Sequence, residues 1–165
     1  MTRVALSIGA NLGDRLGALQ YAVDELAELG ALVAVSDVYE TDPVGGPDQP
    51  DYYNAVLVLE TRATAHEVLA AAQRAEQGRD RVREQRWGPR TLDVDVLAYG
   101  QAVSNDPLLT LPHPRALERA FVLIPWAQAD AGFGLPDGRT VGQVCAEVAG
   151  AGVRRLGPLL RKVEP

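Results

Sequence analysis

Two carboxylates separated by one residue, Asp93 and Asp95, follow a polar stretch built around Gly88-Pro89 and flanked by Arg86 and Arg90. Leu92, Val94 and Val96 alternate with the two aspartates, which predicts a strand. Side chains two apart on a strand share a face, so both carboxylates project together while the aliphatic residues face the core. At a protein surface the repulsion between two such charges in contact is on the order of a few kcal/mol. A cation between them relieves it. Hard divalent ions, Mg2+ above all, bind through one or two carboxylates plus substrate phosphates.

Arginines supply the complementary half. Arg74, Arg79, Arg81, Arg83, Arg86 and Arg90 make the segment before the acidic strand a basic island in a chain whose net charge is -6. Some of the six serve as plain surface charge. Arg90, next to the acidic strand, and Arg81, opening the polar stretch, are placed for phosphate, which guanidinium groups grip in a bidentate way. His113, stiffened by Pro112 and Pro114, can donate to a phosphate as well. A third set is suited to a flat heterocycle: Tyr52, Trp87 and Phe121 for stacking, and Asn54 for its paired donor and acceptor. A tryptophan in a polar stretch is hard to explain as core when the chain has only two tryptophans, five tyrosines and two phenylalanines.

Other chemistries are disfavoured. There is no Gly-rich loop ending in Lys-Ser/Thr, no Cys/His metal cluster and no nucleophilic triad. The negative charge argues against nucleic-acid or anionic-membrane binding. The single cysteine, Cys145, allows no internal disulfide, which fits a reduced, cytoplasmic setting. Its neighbours Val141, Val144 and Val148 make it a small buried hydrophobe. No signal peptide is visible, and no apolar run approaches the roughly 20 residues that span a bilayer.

The elements that position these residues follow from periodicity. Strands are expected at 3–8, 31–39, 53–61 and 92–99, with a short return strand at 101–103. Leu16, Leu19, Val23, Leu26 and Leu29 mark an amphipathic helix that Gly30 is placed to stop. Thr64 and Glu67 have capping-box spacing and open a second helix running to about Arg79. A short helix near 115–119, a longer one from about Val122 and a last one over 140–149, capped by Thr140 and Gln143, complete the chain. The stretches 40–51 and 80–91 read as long loops, the length at which loops tend to be functional. The run of nearly continuous apolar residues over 53–61 indicates a strand covered on both faces. The order β-α-β-β-α-β implies one domain over 1–165 of the α+β class: a ferredoxin-like α/β sandwich, its sheet mainly antiparallel with helices packed on it.

In chain order, Gly9-Ala10-Asn11-Leu12-Gly13, Thr41-Asp42-Pro43-Val44-Gly45, Asp48 to Ala55, Arg86 to Asp95 and Leu111-Pro112-His113-Pro114 resemble the 6-hydroxymethyl-7,8-dihydropterin pyrophosphokinases of folate biosynthesis. The Arg-Trp-Gly-Pro-Arg-Thr-Leu-Asp-x-Asp run is the most specific of these motifs, and the resemblance covers essentially the whole chain. It implies transfer of the β,γ-pyrophosphoryl group of ATP to the pterin hydroxymethyl oxygen, with release of AMP. It also implies roles. Asp93 and Asp95 would hold two Mg2+ ions; Arg81 and Arg90 would clamp the phosphates as catalytic residues. Gln73, Glu76, Arg83, Arg86, His113 and Arg119 would bind ATP. Thr41, Pro43, Val44, Tyr52, Asn54, Trp87 and Phe121 would bind the pterin. The partners would be these two small molecules, with no nucleic acid and no membrane, and the chain would act as a monomer in the cytoplasm. Ala10 replaces the usual serine, and Leu108 stands where some relatives carry a basic residue that contacts nucleotide. The alternative reading is a ferredoxin-like module that binds nucleotide or pterin without catalysis.

Overall fold

The structure, a computed structural model, describes residues 1–42, 50–80, 92–158 and 160–161. The first strand, β1 (Thr2–Ala10), sends Val4, Leu6, Ile8 and Ala10 into one core and Ala5 into another. Asp14 then caps helix α1 (Arg15–Leu26), its carboxylate accepting the Gly17 amide at 2.9 Å. The helix proper ends at Leu26, and a single 3-10 turn carries the chain to Leu29. Gly30 opens the next strand, β2 (Gly30–Val35), instead of ending the helix. A Cβ there would sit 2.1 Å from the Glu60 carbonyl oxygen, so close backbone approach demands the glycine.

The strand expected over 31–39 is broken. Ser36 and Asp37 divide β2 from β3 (Val38–Thr41). The Ser36 hydroxyl accepts the Val56 amide at 2.9 Å and donates to the Asp37 carbonyl at 2.8 Å, so a polar bend replaces two ladder positions. Strand β4 (Tyr52–Thr61) pairs with β3 at its start and β2 along its remainder. Val56, Leu57, Val58 and Leu59 are fully buried, as a strand covered on both faces requires. Helix α2 (Ala65–Asp80) begins with the expected capping box: the Thr64 amide donates to Glu67 at 2.8 Å and the Glu67 amide to Thr64 Oγ1 at 3.1 Å. It returns the chain to β5 (Asp93–Tyr99).

The short hairpin lies further on than expected. Residues 101–103 form no strand; Ser104–Asp106 (β6) pairs with Leu109–Leu111 (β7) apart from the main sheet. Helix α3 (Ala120–Asp130) contains Pro125, and α4 (Val141–Cys145), capped by Thr140 and Gln143, is shorter than its predicted span. A final strand, β8 (Val153–Gly157), was not anticipated, because Val-Arg-Arg-Leu-Gly shows no alternation of apolar and polar residues.

The main sheet has the order β5-β1-β4-β3-β8, with β2 beside β4, and all its pairings are antiparallel. Helices α1 and α2 cover one face; α3 and α4 cover the other. This is the α+β ferredoxin-like arrangement expected from the element order, with β8 added at the β3 edge.

Candidate active site

Register brings the chemistry together. Strand β1 lies between β4 and β5, and Gly9 pairs with Asn54 on one side and Asp93 on the other. Two residues earlier, Ser7 pairs with Val56 and Asp95. One face of the sheet therefore carries a row of Asn54, Gly9 and Asp93, with Asp95 in the next row. This is the face covered by α3, and at the start of that helix the cover stops. The uncovered end is a cavity of about 530 Å³. Thr41, Tyr52 and Asn54 of β3 and β4 form one wall, Asp93 and Asp95 of β5 lie beside it on the sheet, and His113, Arg119 and Phe121 complete the lining.

Each group has a definite environment. Asn54 is almost fully buried and its Nδ2 donates to Thr41 Oγ1 at 2.6 Å, which ties β4 to β3 at the cavity wall. The Tyr52 hydroxyl is held above its usual pKa, first by burial and then by the Asp93 carboxylate. Asp93 is half-buried and Asp95 exposed. His113 is held below its usual pKa mainly by burial; Asp95 opposes this, while Arg119 and Arg115 add to it. It is therefore neutral near pH 7. Its Nδ1 accepts the Arg115 amide at 3.3 Å, which leaves the proton on Nε2 as a donor. The Arg119 guanidinium lies 5.6 Å from the Phe121 ring centroid, a cation–π distance.

Of the sequence-predicted residues, Thr41, Tyr52, Asn54, Asp93, Asp95, His113, Arg119 and Phe121 all line the cavity. Gln73 and Glu76 lie outside this lining. Gln73 is exposed on α2, and Glu76 Oε2 accepts the Val94 amide at 3.0 Å, clamping α2 to β5 between the two aspartates. Pro43, Val44, Arg81, Arg83, Arg86, Trp87 and Arg90 fall outside the described residues. Ala10 is fully buried on the α1 side of the sheet, so a serine there would face away from the cavity. Leu108 is 80% exposed, between β6 and β7.

Sequence reasoning gave Ser7, Gly9 and the Asp42 side chain no role in the site, although all three residues line it. The signal was present: the cavity face of β1 runs Ala5, Ser7, Gly9, small residues throughout, with the last two beside the aspartates. A Cβ on Gly9 would stand 2.9 Å from Asn54 Oδ1, so the glycine leaves room where the amide must sit.

A divalent ion fits this donor set. Asp93 and Asp95 offer hard oxygens on one face, and among the described residues no group of three or more His, Cys, Asp or Glu could hold a metal alone. An ion here takes its remaining ligands from water and phosphate, the habit of Mg2+.

The sequence model of the family described as 7,8-dihydro-6-hydroxymethylpterin-pyrophosphokinase (HPPK) matches residues 5–131. Curated relatives named 2-amino-4-hydroxy-6-hydroxymethyldihydropteridine pyrophosphokinase include that of Mycobacterium tuberculosis H37Rv, 49% identical over 79% of this chain and 73% of that protein. The Mycobacterium leprae protein is 44% identical over 100% of this chain and 85% of its own length. The Pseudomonas aeruginosa protein is 40% identical over 93% and 96%. Among solved structures, a Plasmodium falciparum HPPK-DHPS triple mutant with pteroate superposes with a TM-score of 0.68 at 14% identity. It matches 88% of this chain, which spans only 43% of that chain, and at such identity the likeness speaks for the fold.

Proposed function

The chain belongs to the 7,8-dihydro-6-hydroxymethylpterin-pyrophosphokinase family, and from that premise we propose that it moves the β,γ-pyrophosphoryl group of ATP to the hydroxymethyl oxygen of 6-hydroxymethyl-7,8-dihydropterin. AMP is the second product, and folate biosynthesis the use. The observation that carries the reading is the meeting, in one cavity, of the Asp93/Asp95 pair with the Tyr52, Asn54 and Phe121 set.

The residues divide the work. Tyr52 and Phe121 flank the pterin ring, and Asn54, held by Thr41, offers it a donor and an acceptor. Pro43, Val44 and Trp87 complete the pterin contacts. Asp93 and Asp95 would hold two Mg2+ ions. Bound there, these ions supply charge neutralisation and make deprotonation of the attacking hydroxyl easier. Arg81 and Arg90 clamp the transferred group, whose passage needs positioning and charge stabilisation more than covalent help. Neutral His113 donates from Nε2 to a phosphate oxygen, and Arg119, Arg83, Arg86, Gln73 and Glu76 complete the nucleotide side. On this reading the chain acts as a monomer in the cytoplasm.

Incubation with ATP, Mg2+ and the hydroxymethyl pterin tests the reaction. AMP is the expected product. ADP would make the protein an ordinary kinase, and neither nucleotide product would leave a binding module.

A further inference from the structure

The last strand, β8, carries two adjacent arginines that point to opposite faces of the sheet. Arg155 engages buried Asp37 at the bend between β2 and β3. Arg154 does something different. Its Nη1 lies 2.9 Å from Asp42 Oδ1, and its Nη2 lies 2.9 Å from Asp51 Oδ2 and 3.2 Å from Glu40 Oε1. One guanidinium thus gathers three carboxylates: one from β3, one from the residue just after it and one from the residue just before β4. The backbone adds a link, since the Asp42 amide donates to the Gly152 carbonyl at 3.3 Å.

The contacts with Glu40 and Asp51 sit behind the site, while Asp42 reaches its rim and also lines the cavity. Glu40 pairs with Tyr53, and Thr41 with Tyr52. Strand alternation therefore puts Glu40, Asp51 and Tyr53 on the face away from the cavity, while Thr41, Tyr52 and Asn54 face into it. Arg15 braces the same rear face: its Nη1 donates to the Asp51 carbonyl at 2.7 Å and its guanidinium lies 3.9 Å from the Tyr53 ring centroid. Thr41 and Asn54 share a hydrogen bond across the same two strands whose ends Arg154 holds. Without the guanidinium, three like charges would be left side by side at the point where β3 and β4 must stay together to keep that wall in shape.

We propose that Arg154 is a positioning residue for the pterin: acting through Glu40 and Asp51 at the rear of the sheet and through Asp42 at the cavity rim, it fixes the Thr41–Tyr52–Asn54 wall and so sets pterin affinity. The inference rests on the assignment of that wall to the pterin.

The test is Arg154→Met, which keeps most of the apolar stem and removes the charge, alongside Arg154→Lys and the combination Arg154→Met/Glu40→Gln/Asp51→Asn. Pterin binding is measured by equilibrium titration in the presence of Mg2+ and a non-hydrolysable ATP analogue, and KM values are taken for both substrates. Arg154→Met is expected to weaken pterin binding by about five- to tenfold while the ATP KM moves less than about twofold, as loss of a networked, partly exposed charge cluster would do. Arg154→Lys should lie between, and removing Glu40 and Asp51 charge in the Arg154→Met background should recover most of the loss. Unchanged pterin affinity in Arg154→Met, or equal weakening of both substrates with no recovery in the combined variant, overturns the proposal. The titration needs no turnover, so a wild-type chain that binds pterin but releases no AMP would refute the transfer reaction and leave this result readable. Wild-type chain that binds no pterin would overturn both.

Discussion

At the scale of single residues, the site rests on a few side chains and on one that is missing. Asp95 is exposed and anchored to a central sheet, so its charge can be removed with little structural consequence. Asp95→Asn should therefore lower kcat at least about a hundredfold, the scale of losing a main charge-stabilising group, while the melting temperature stays within error. A variant that keeps near-normal rates at ordinary Mg2+ would remove the metal assignment. Gly9 makes the converse case. Gly9→Ala brings a methyl group to 2.9 Å from Asn54 Oδ1, and the amide must shift or break its 2.6 Å bond to Thr41. Pterin affinity should fall roughly tenfold, because a site built around a buried hydrogen-bonding group loses discrimination when that group is displaced. ATP analogue affinity, measured in the same titration series, should hold; if the two fall together, Gly9 is a folding residue and no more. Gly9 and Asp42 belonged to motifs that carry the family resemblance but suggested no chemistry of their own, since a glycine in a strand and an aspartate before a proline have many ordinary explanations. Asp93 and Asp95 stood out because two like charges on one strand face need a reason.

At the scale of elements, what was legible followed from strong local chemistry. The capping boxes at Thr64 and Thr140 were readable because two side chains three apart satisfy each other's backbone amides. The β4 run was readable because burial on both faces leaves no polar alternation. The break at Ser36-Asp37 was not, because the bend depends on partners distant in sequence: the Val56 amide, Gln128 and Arg155. Strand β8 was missed for the same reason, as its arginines are explained only by the carboxylates of β3 and the bend. The α2 cap makes a prediction with a sign. The Glu67 carboxyl is held below its ordinary value, first by the Thr64 amide and then by the Thr64 hydroxyl. Its pKa is lower folded than unfolded, so the stabilisation is complete above about pH 4.3 and is lost as pH falls through the lower folded value. Glu67→Gln retains an oxygen for the Thr64 amide but cannot titrate. Urea unfolding followed from neutral pH into that acid range should show a shallower loss of stability in the variant, and parallel curves would mean that the carboxylate's charge contributes nothing.

At the scale of the whole molecule, two cores share one sheet. Val4, Leu6 and Ile8 of β1 pack under α1 and α2, while Ala5 of the same strand packs under α3 and α4. Successive residues of β4 divide in the same way, Leu57 and Leu59 to one core and Val56 and Val58 to the other. Neither core can be lost without exposing strands that the other needs, so the 165-residue chain is expected to unfold as one unit. The β2–β3 bend is where the second core is tied to the added edge strand. Asp37 is 5% exposed, its amide donates to Gln128 of α3, and Arg155 of β8 supplies the cation. Arg155→Ala leaves that carboxylate buried without its partner. Because the Arg155 side chain is itself 64% exposed, the cost should be about 1–2 kcal/mol, less than the loss of one member of a fully buried pair. In urea that moves the midpoint by roughly 0.5–1 M at an unchanged slope. Adding Asp37→Asn should return part of the loss, since an amide costs less to bury unpaired than a charge does. Far-ultraviolet circular dichroism reports the sheet, and emission of Trp126, fully buried 5.3 Å from the Phe133 ring, reports the second core in a Trp87→Phe background. The two transitions should coincide in wild type and in Arg155→Ala. Separate midpoints would mean that α3 and α4 melt apart from the sheet, and the site, whose lining includes Phe121 and Val122 at the start of α3, would then open before the rest of the molecule unfolds.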